Sequence, residues 1–98
     1  MTNQEINHYI AVNINGWIHD EGIFYHDASG FTCYLADYCN SLPHAMDLAF
    51  ANKIALKPSP DGWKAYRLSD GETVFTDSLA SKAICLCLVA NAEQTESV

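Results

Sequence analysis

Apolar residues recur at helical spacing in three stretches of the chain, and strand-like segments lie between them. Ile6, Tyr9, Ile10 and Ile14 are three or four residues apart, which predicts a first helix over residues 3–13. Thr2 stands three residues before Glu5, the spacing of a capping box, in which each residue satisfies the other's backbone N–H. Asn13 and Asn15 weaken the end of this helix, and Gly16 offers a stop. Trp17 follows at once, and an aromatic in that position is expected to fold back on the core.

Residues 22–35 read GIFYHDASGFTCYL. Two aromatic-rich pieces flank the turn-forming Asp27-Ala28-Ser29-Gly30, a hairpin pattern. A loop continues through Asp37, Tyr38, Cys39 and Asn40. Leu42, Ala45, Met46, Ala49 and Phe50 then form one apolar helical face. Ser41 is placed to cap this second helix, and Pro43 is tolerated in its first turn. The helix is expected to reach Lys53 or Ala55, with Pro58 and Pro60 ending any continuation.

Asp61-Gly62 opens a strand through Trp63, Ala65 and Tyr66 to Leu68. Ser69-Asp70-Gly71 turns the chain, and residues 72–76 return as its partner. Asp77 or Ser78 caps a third helix over 79–91, with Leu79, Ala80, Ala83, Ile84, Cys87 and Leu88 on its apolar face. Leu86 and Val89 carry that surface further round, and Lys82 is the only charge. A helix apolar on nearly every side is central in its fold, or it supplies a homo-oligomer interface. The order α, hairpin, α, hairpin, α predicts a small α+β domain of antiparallel hairpins packed with three helices. That domain is expected to span residues 1–92, with 93–98 as a flexible tail.

A chain of 98 residues suits one domain, and 49% hydrophobic composition argues against disorder. Twelve acidic against five basic side chains give a formal charge of -7, which argues against duplex DNA as a partner. The charge is segregated. Residues 1–52 hold six acidic residues and no Lys or Arg, and all five basic residues fall within 53–82. A basic surface on another protein, such as the basic channel of a nucleic-acid-handling host protein, is the natural complement of the first half, with Asp20, Glu21, Asp27, Asp37 and Tyr38 as the candidate contacts. The N-terminus lacks the pattern of a secretory signal, and the apolar run at 83–90 is too short to span a bilayer. The expectation is a cytoplasmic protein that is not embedded in a membrane.

Catalytic signals are absent from the pattern. There is no phosphate-cradling glycine loop, nucleophile elbow or zinc-binding His pair of known spacing. Cys33, Cys39, Cys85 and Cys87 read as buried inert thiols, and Cys85 and Cys87, two apart on a helix, point to separated faces. His19-Asp20-Glu21 and His26-Asp27 set carboxylates beside imidazoles, but adjacent strand residues face opposite ways. A non-enzyme with no metal and no cofactor is expected. A small nucleotide is the alternative ligand. Trp63 and Tyr66 would stack on its base, and Lys64 and Arg67 would meet its phosphates. Trp17, Tyr25 and Tyr38, with the helix starts at Ser41 and Ser78, are further candidates.

EINHYIAVNINGW at 5–17, SLPHAMDLAF at 41–50, WKAYRLSDG at 63–71 and FTDSLASKAICLCLVA at 75–90 together resemble small phage-encoded proteins of the phage ABA sandwich domain type. Gly16-Trp17, Ser41, Trp63 and Cys85 match the pattern of that family. Its members often carry an arginine after the cysteine of the last helix, whereas this chain has Leu86, so an anion contact from that position is missing. Many members have no assigned function, and some similar phage proteins act against host defence. The resemblance therefore implies either an inhibitor that blocks a defence protein or a binder that sequesters a cyclic nucleotide or ADP-ribose-like signal. A structural phage protein is the remaining alternative.

Overall fold

The computed structural model describes residues 1–25, 32–69 and 74–96. Helix α1 (Asn3–Tyr9) begins with the expected capping box: Thr2 N donates to Glu5 Oε1 at 3.0 Å, and Glu5 N donates to Thr2 Oγ1 at 3.2 Å. The Thr2 backbone amide, and then its hydroxyl, hold the Glu5 carboxyl below its usual range. The first helical segment is not α-helical throughout. Residues Ile10–Ile14 wind as a π-helical turn. Asn15 N reaches back to Ile10 O, and Trp17 N reaches Ala11 O, both at 2.9 Å. Gly16 has φ +73, a conformation glycine adopts without strain, and it ends the helix where the sequence placed the stop.

Three strands follow where one hairpin was expected. Strands β1 (Ile18–Asp20), β2 (Ile23–Tyr25) and β3 (Thr32–Cys33) form an antiparallel sheet in that order. The missed strand, β1, pairs with β2 across Glu21 and Gly22, at φ 51 and φ 80. Positive φ at both positions is the hallmark of a type I′ hairpin turn. The expected turn at Asp27–Gly30 lies outside the described residues. No residue of β1 or β2 is buried.

Helix α2 (Leu42–Asn52) starts after Ser41 with Pro43 in its first turn. The Ser41 hydroxyl makes no capping bond and pairs instead with His44 Nδ1 at 2.6 Å. Lys53 closes the helix in the left-handed conformation, and the chain leaves directly as a strand. Pro58 does not end structure here. It lies in strand β4 (Ile54–Ser59), on the sheet edge where a missing N–H is tolerated. Strands β5 (Gly62–Arg67) and β6 (Val74–Asp77) complete a second antiparallel sheet in the order β4-β5-β6. Gly62 opens β5 at φ +140, and a Cβ there would stand 2.4 Å from the carbonyl oxygen of Asp77.

Helix α3 (Ala80–Glu96) begins beside Asp77, whose Oδ1 accepts from Leu79 N at 3.0 Å. It continues past residue 91, where the sequence reading ended it. Eight of its residues between Ala80 and Val89 are buried, leaving the half-exposed stripe Lys82, Leu86 and Ala90. The helix packs on β4–β6 and also against α1, the π-helical turn and α2. Most of its apolar surface is thus covered within the chain. Ile6, Ile10, Ala45, Leu48, Ile54, Ala65, Ile84 and Leu88 join in one core. The α+β class and the placing of helices around antiparallel hairpins are as the sequence implied.

Candidate functional site

A cleft of about 500 Å³ opens where the end of the π-helical turn, the segment after β3 and helix α2 meet. Asn15, Trp17, Tyr34, Tyr38, His44 and Asp47 line it. The Gly16 turn carries Trp17 onto one wall, half-buried. Trp17 therefore flanks a cleft rather than entering the core cluster. Tyr38 is 4% exposed, and its hydroxyl accepts from Asn15 Nδ2 at 3.0 Å. The edge of its ring meets His44 at 6.3 Å between centroids. The bond from Ser41 fixes that imidazole. Tyr34, just past β3, is 97% exposed. A large ring left in water gains most when another surface covers it.

Among the described residues the cleft holds three aromatic rings, one carboxylate, one imidazole and one amide, with no lysine or arginine. Every lining residue comes from the part of the chain that lacks those cations. Ring faces and a carboxylate attract cations. The same set offers an anionic phosphate hydroxyl, indole, imidazole and amide donors but no lysine or arginine.

The five interaction candidates from the sequence have separate fates. Asp20 and Glu21 are exposed at the β1–β2 turn. Strand β1 extends from Trp17, so Asp20 sits about 10 Å from the cleft wall along the strand. Asp27 lies outside the described residues. Asp37 works within the fold: Oδ1 accepts from Asn7 Nδ2 and Oδ2 from Asn40 Nδ2, each at 2.9 Å. The Asn40 amide first, and then Asn7, hold its carboxyl below the usual range. Tyr38 joins the cleft as a buried ring.

The proposed nucleotide set does not converge. Residues alternate along β5, so Trp63 and Arg67 share the side of buried Ala65, which faces α3, while Lys64 and Tyr66 take the opposite face. Lys57, paired with Lys64 across the strands, lies 5.8 Å from the centre of the Tyr66 ring. Arg67 instead lines a second cleft of about 410 Å³ with Asn13, Asn52 and Asn91. The three asparagines gave no motif in the sequence, because they come from three separate helical segments.

His8 Nε2 and His19 Nδ1 are 3.2 Å apart, and Phe24 stacks on His19 at 4.6 Å between centroids. This cluster ties α1 to the first sheet. Among the described residues no group of three or more His, Cys, Asp or Glu side chains could hold a metal ion. Cys39, Cys85 and Cys87 are buried free thiols. Burial pushes the thiols of Cys39 and Cys85 up. No helix among the described residues is long and apolar enough to cross a membrane.

The fold has a solved counterpart. A crystal structure of a phage protein from Bacillus cereus ATCC 14579 superposes with a TM-score of 0.81. The two chains are 15% identical, and the match covers 95% of this chain and 89% of that one. This likeness demonstrates a shared fold over nearly the whole chain. No protein-family model matches the sequence, and no curated protein does.

Proposed function

We propose that the protein is a non-enzymatic phage accessory protein that acts by binding, its acidic N-terminal half meeting a basic surface of a host defence protein in the cytoplasm. The observation that carries this reading is the cleft of Trp17, Tyr34, Tyr38 and Asp47, built wholly from the part of the chain without lysine or arginine. An exposed tyrosine and a half-buried tryptophan bordered by a carboxylate have the composition of an interface that receives a basic partner. Asp20 and Glu21 at the tip of the β1–β2 turn extend the same sign of charge outward. The fold it shares with a phage protein supports the phage origin.

The test is capture from host lysate by the immobilised protein at low and high salt, beside an Asp20→Lys/Glu21→Lys variant. A specific partner held by the wild type and released by charge reversal is expected. Absence of any specific partner at low salt would sink the reading.

Sequestration of a cyclic nucleotide or ADP-ribose-like signal is the second reading, favoured by Arg67 among Asn13, Asn52 and Asn91 in the second cleft. Amides read the edges of a base, and a guanidinium pairs with phosphate. Calorimetric titration with such nucleotides decides it, and no heat from any of them removes it.

A further inference from the structure

We infer that the cleft between Trp17, Tyr34 and Tyr38 is an arginine-binding site, receiving the guanidinium of an exposed arginine on a partner protein. This deepens the protein-binding reading and rests on it. Three features of the cleft point to a guanidinium. It has the half-buried Trp17 and the exposed Tyr34 at its surface, over the buried Tyr38, and on such rings a planar delocalised cation stacks better than a compact ammonium. Asp47 on α2 supplies a carboxylate beside those rings, which the two-pronged N–H fork of arginine can pair with. No lysine or arginine among the described residues lines the cleft to compete.

The walls are organised before any ligand arrives. Tyr38 is fixed by Asn15, and His44 is fixed by Ser41. The backbone of Trp17 is anchored to Ala11. Tyr34, on the segment leaving β3, stands almost wholly in solvent, and Asn15, His44 and Asp47 are exposed beside it. A nucleotide fits the same rings through its base, but its phosphates would meet Asp47 with no lysine or arginine to neutralise them.

The chain has two tryptophans, so a Trp63→Phe variant leaves Trp17 as the only tryptophan reporter. Trp63 is 37% exposed, and an unchanged melting curve verifies that the variant folds. The variant is titrated with a hexa-arginine peptide, its hexa-citrulline isostere, a hexa-lysine peptide and AMP. The arginine peptide is expected to change Trp17 emission saturably, with the other three binding at least about tenfold more weakly. In the same background Tyr34→Ala is expected to weaken the arginine peptide about two- to fivefold, and Asp47→Asn about tenfold. Equal binding of citrulline, lysine or AMP overturns the inference, and so does unchanged Trp17 emission with the arginine peptide. Lysate capture separates the two levels. A partner retained by Tyr34→Ala and Asp47→Asn would sink the arginine site and leave the protein-binding reading standing. Arginine-peptide binding with no captured partner would leave the cleft's preference for a guanidinium standing and overturn its role in holding a partner protein.

Discussion

Asn7 Oδ1 accepts the backbone N–H of Cys39 at 3.2 Å, inside the core. The same side chain donates to Asp37, while Ser81 Oγ donates to the Cys39 carbonyl at 2.7 Å. Both polar groups of the Cys39 backbone are thus satisfied by side chains, one from α1 and one from α3. A loop can enter the core only if its backbone polar groups are paired in this way. The clamp seats residues 37–40, and with them Tyr38, against the helices.

Removing one side of the clamp leaves a buried donor unpaired. Asn7→Ala is expected to lower unfolding stability by about 1–3 kcal/mol. Urea unfolding followed by circular dichroism measures this. A midpoint unchanged from wild type would show that the Cys39 N–H finds another partner.

Asp37 makes that stability pH-dependent. Its carboxyl is held below the ordinary range by Asn40 and then by Asn7. A carboxyl lowered on folding contributes stability that is fully present above its unfolded pKa and is lost as pH falls through the folded one. Asp37→Asn is therefore expected to be less stable than wild type at neutral pH, with the gap closing as pH falls below the ordinary aspartate range. Parallel thermal melts across that range check the sign. A gap that widened on acidification would refute it.

Two glycines with positive φ should respond differently to alanine. At Gly16 nothing lies within 4 Å of an added Cβ, so Gly16→Ala carries only the conformational penalty, about 1 kcal/mol. At Gly62 the same atom meets the Asp77 carbonyl and Ser78 Cα, both on backbone. Gly62→Ala must separate the start of β5 from the end of β6, and it is expected to cost more than Gly16→Ala. Melting temperatures of the two variants give the order directly.

The buried thiols should be inert. Cys39 and Cys85 are held as neutral thiols by burial, and the thiolate is the reactive species. Iodoacetamide at neutral pH is expected to leave Cys39, Cys85 and Cys87 unmodified in the native protein and to label them after unfolding. Peptide mass spectrometry reads each site. Rapid native labelling of Cys85 would contradict its burial.

The sequence by itself determined the elements whose signals are local. Thr2 and Glu5 marked the start of α1, Gly16 its stop, and Asp77 or Ser78 the approach to α3, while the apolar coverage of α3 left a central place or an interface open. These rest on caps, φ preferences and helical periodicity, which act within a few residues. Tertiary structure alone decided what depends on distant partners. Strand β1 carries no burial pattern and exists through its pairing with β2, and β4 accommodates Pro58 because it is an edge strand. Asn7, Asp37, Cys39 and Ser81 became a clamp only when α1 and α3 closed on the loop. The charge asymmetry was legible along the chain, but periodicity cannot report that Trp17, Tyr34, Tyr38 and Asp47 meet. A cleft assembled from a turn, a loop and a helix is defined by packing between elements, and no local spacing encodes that.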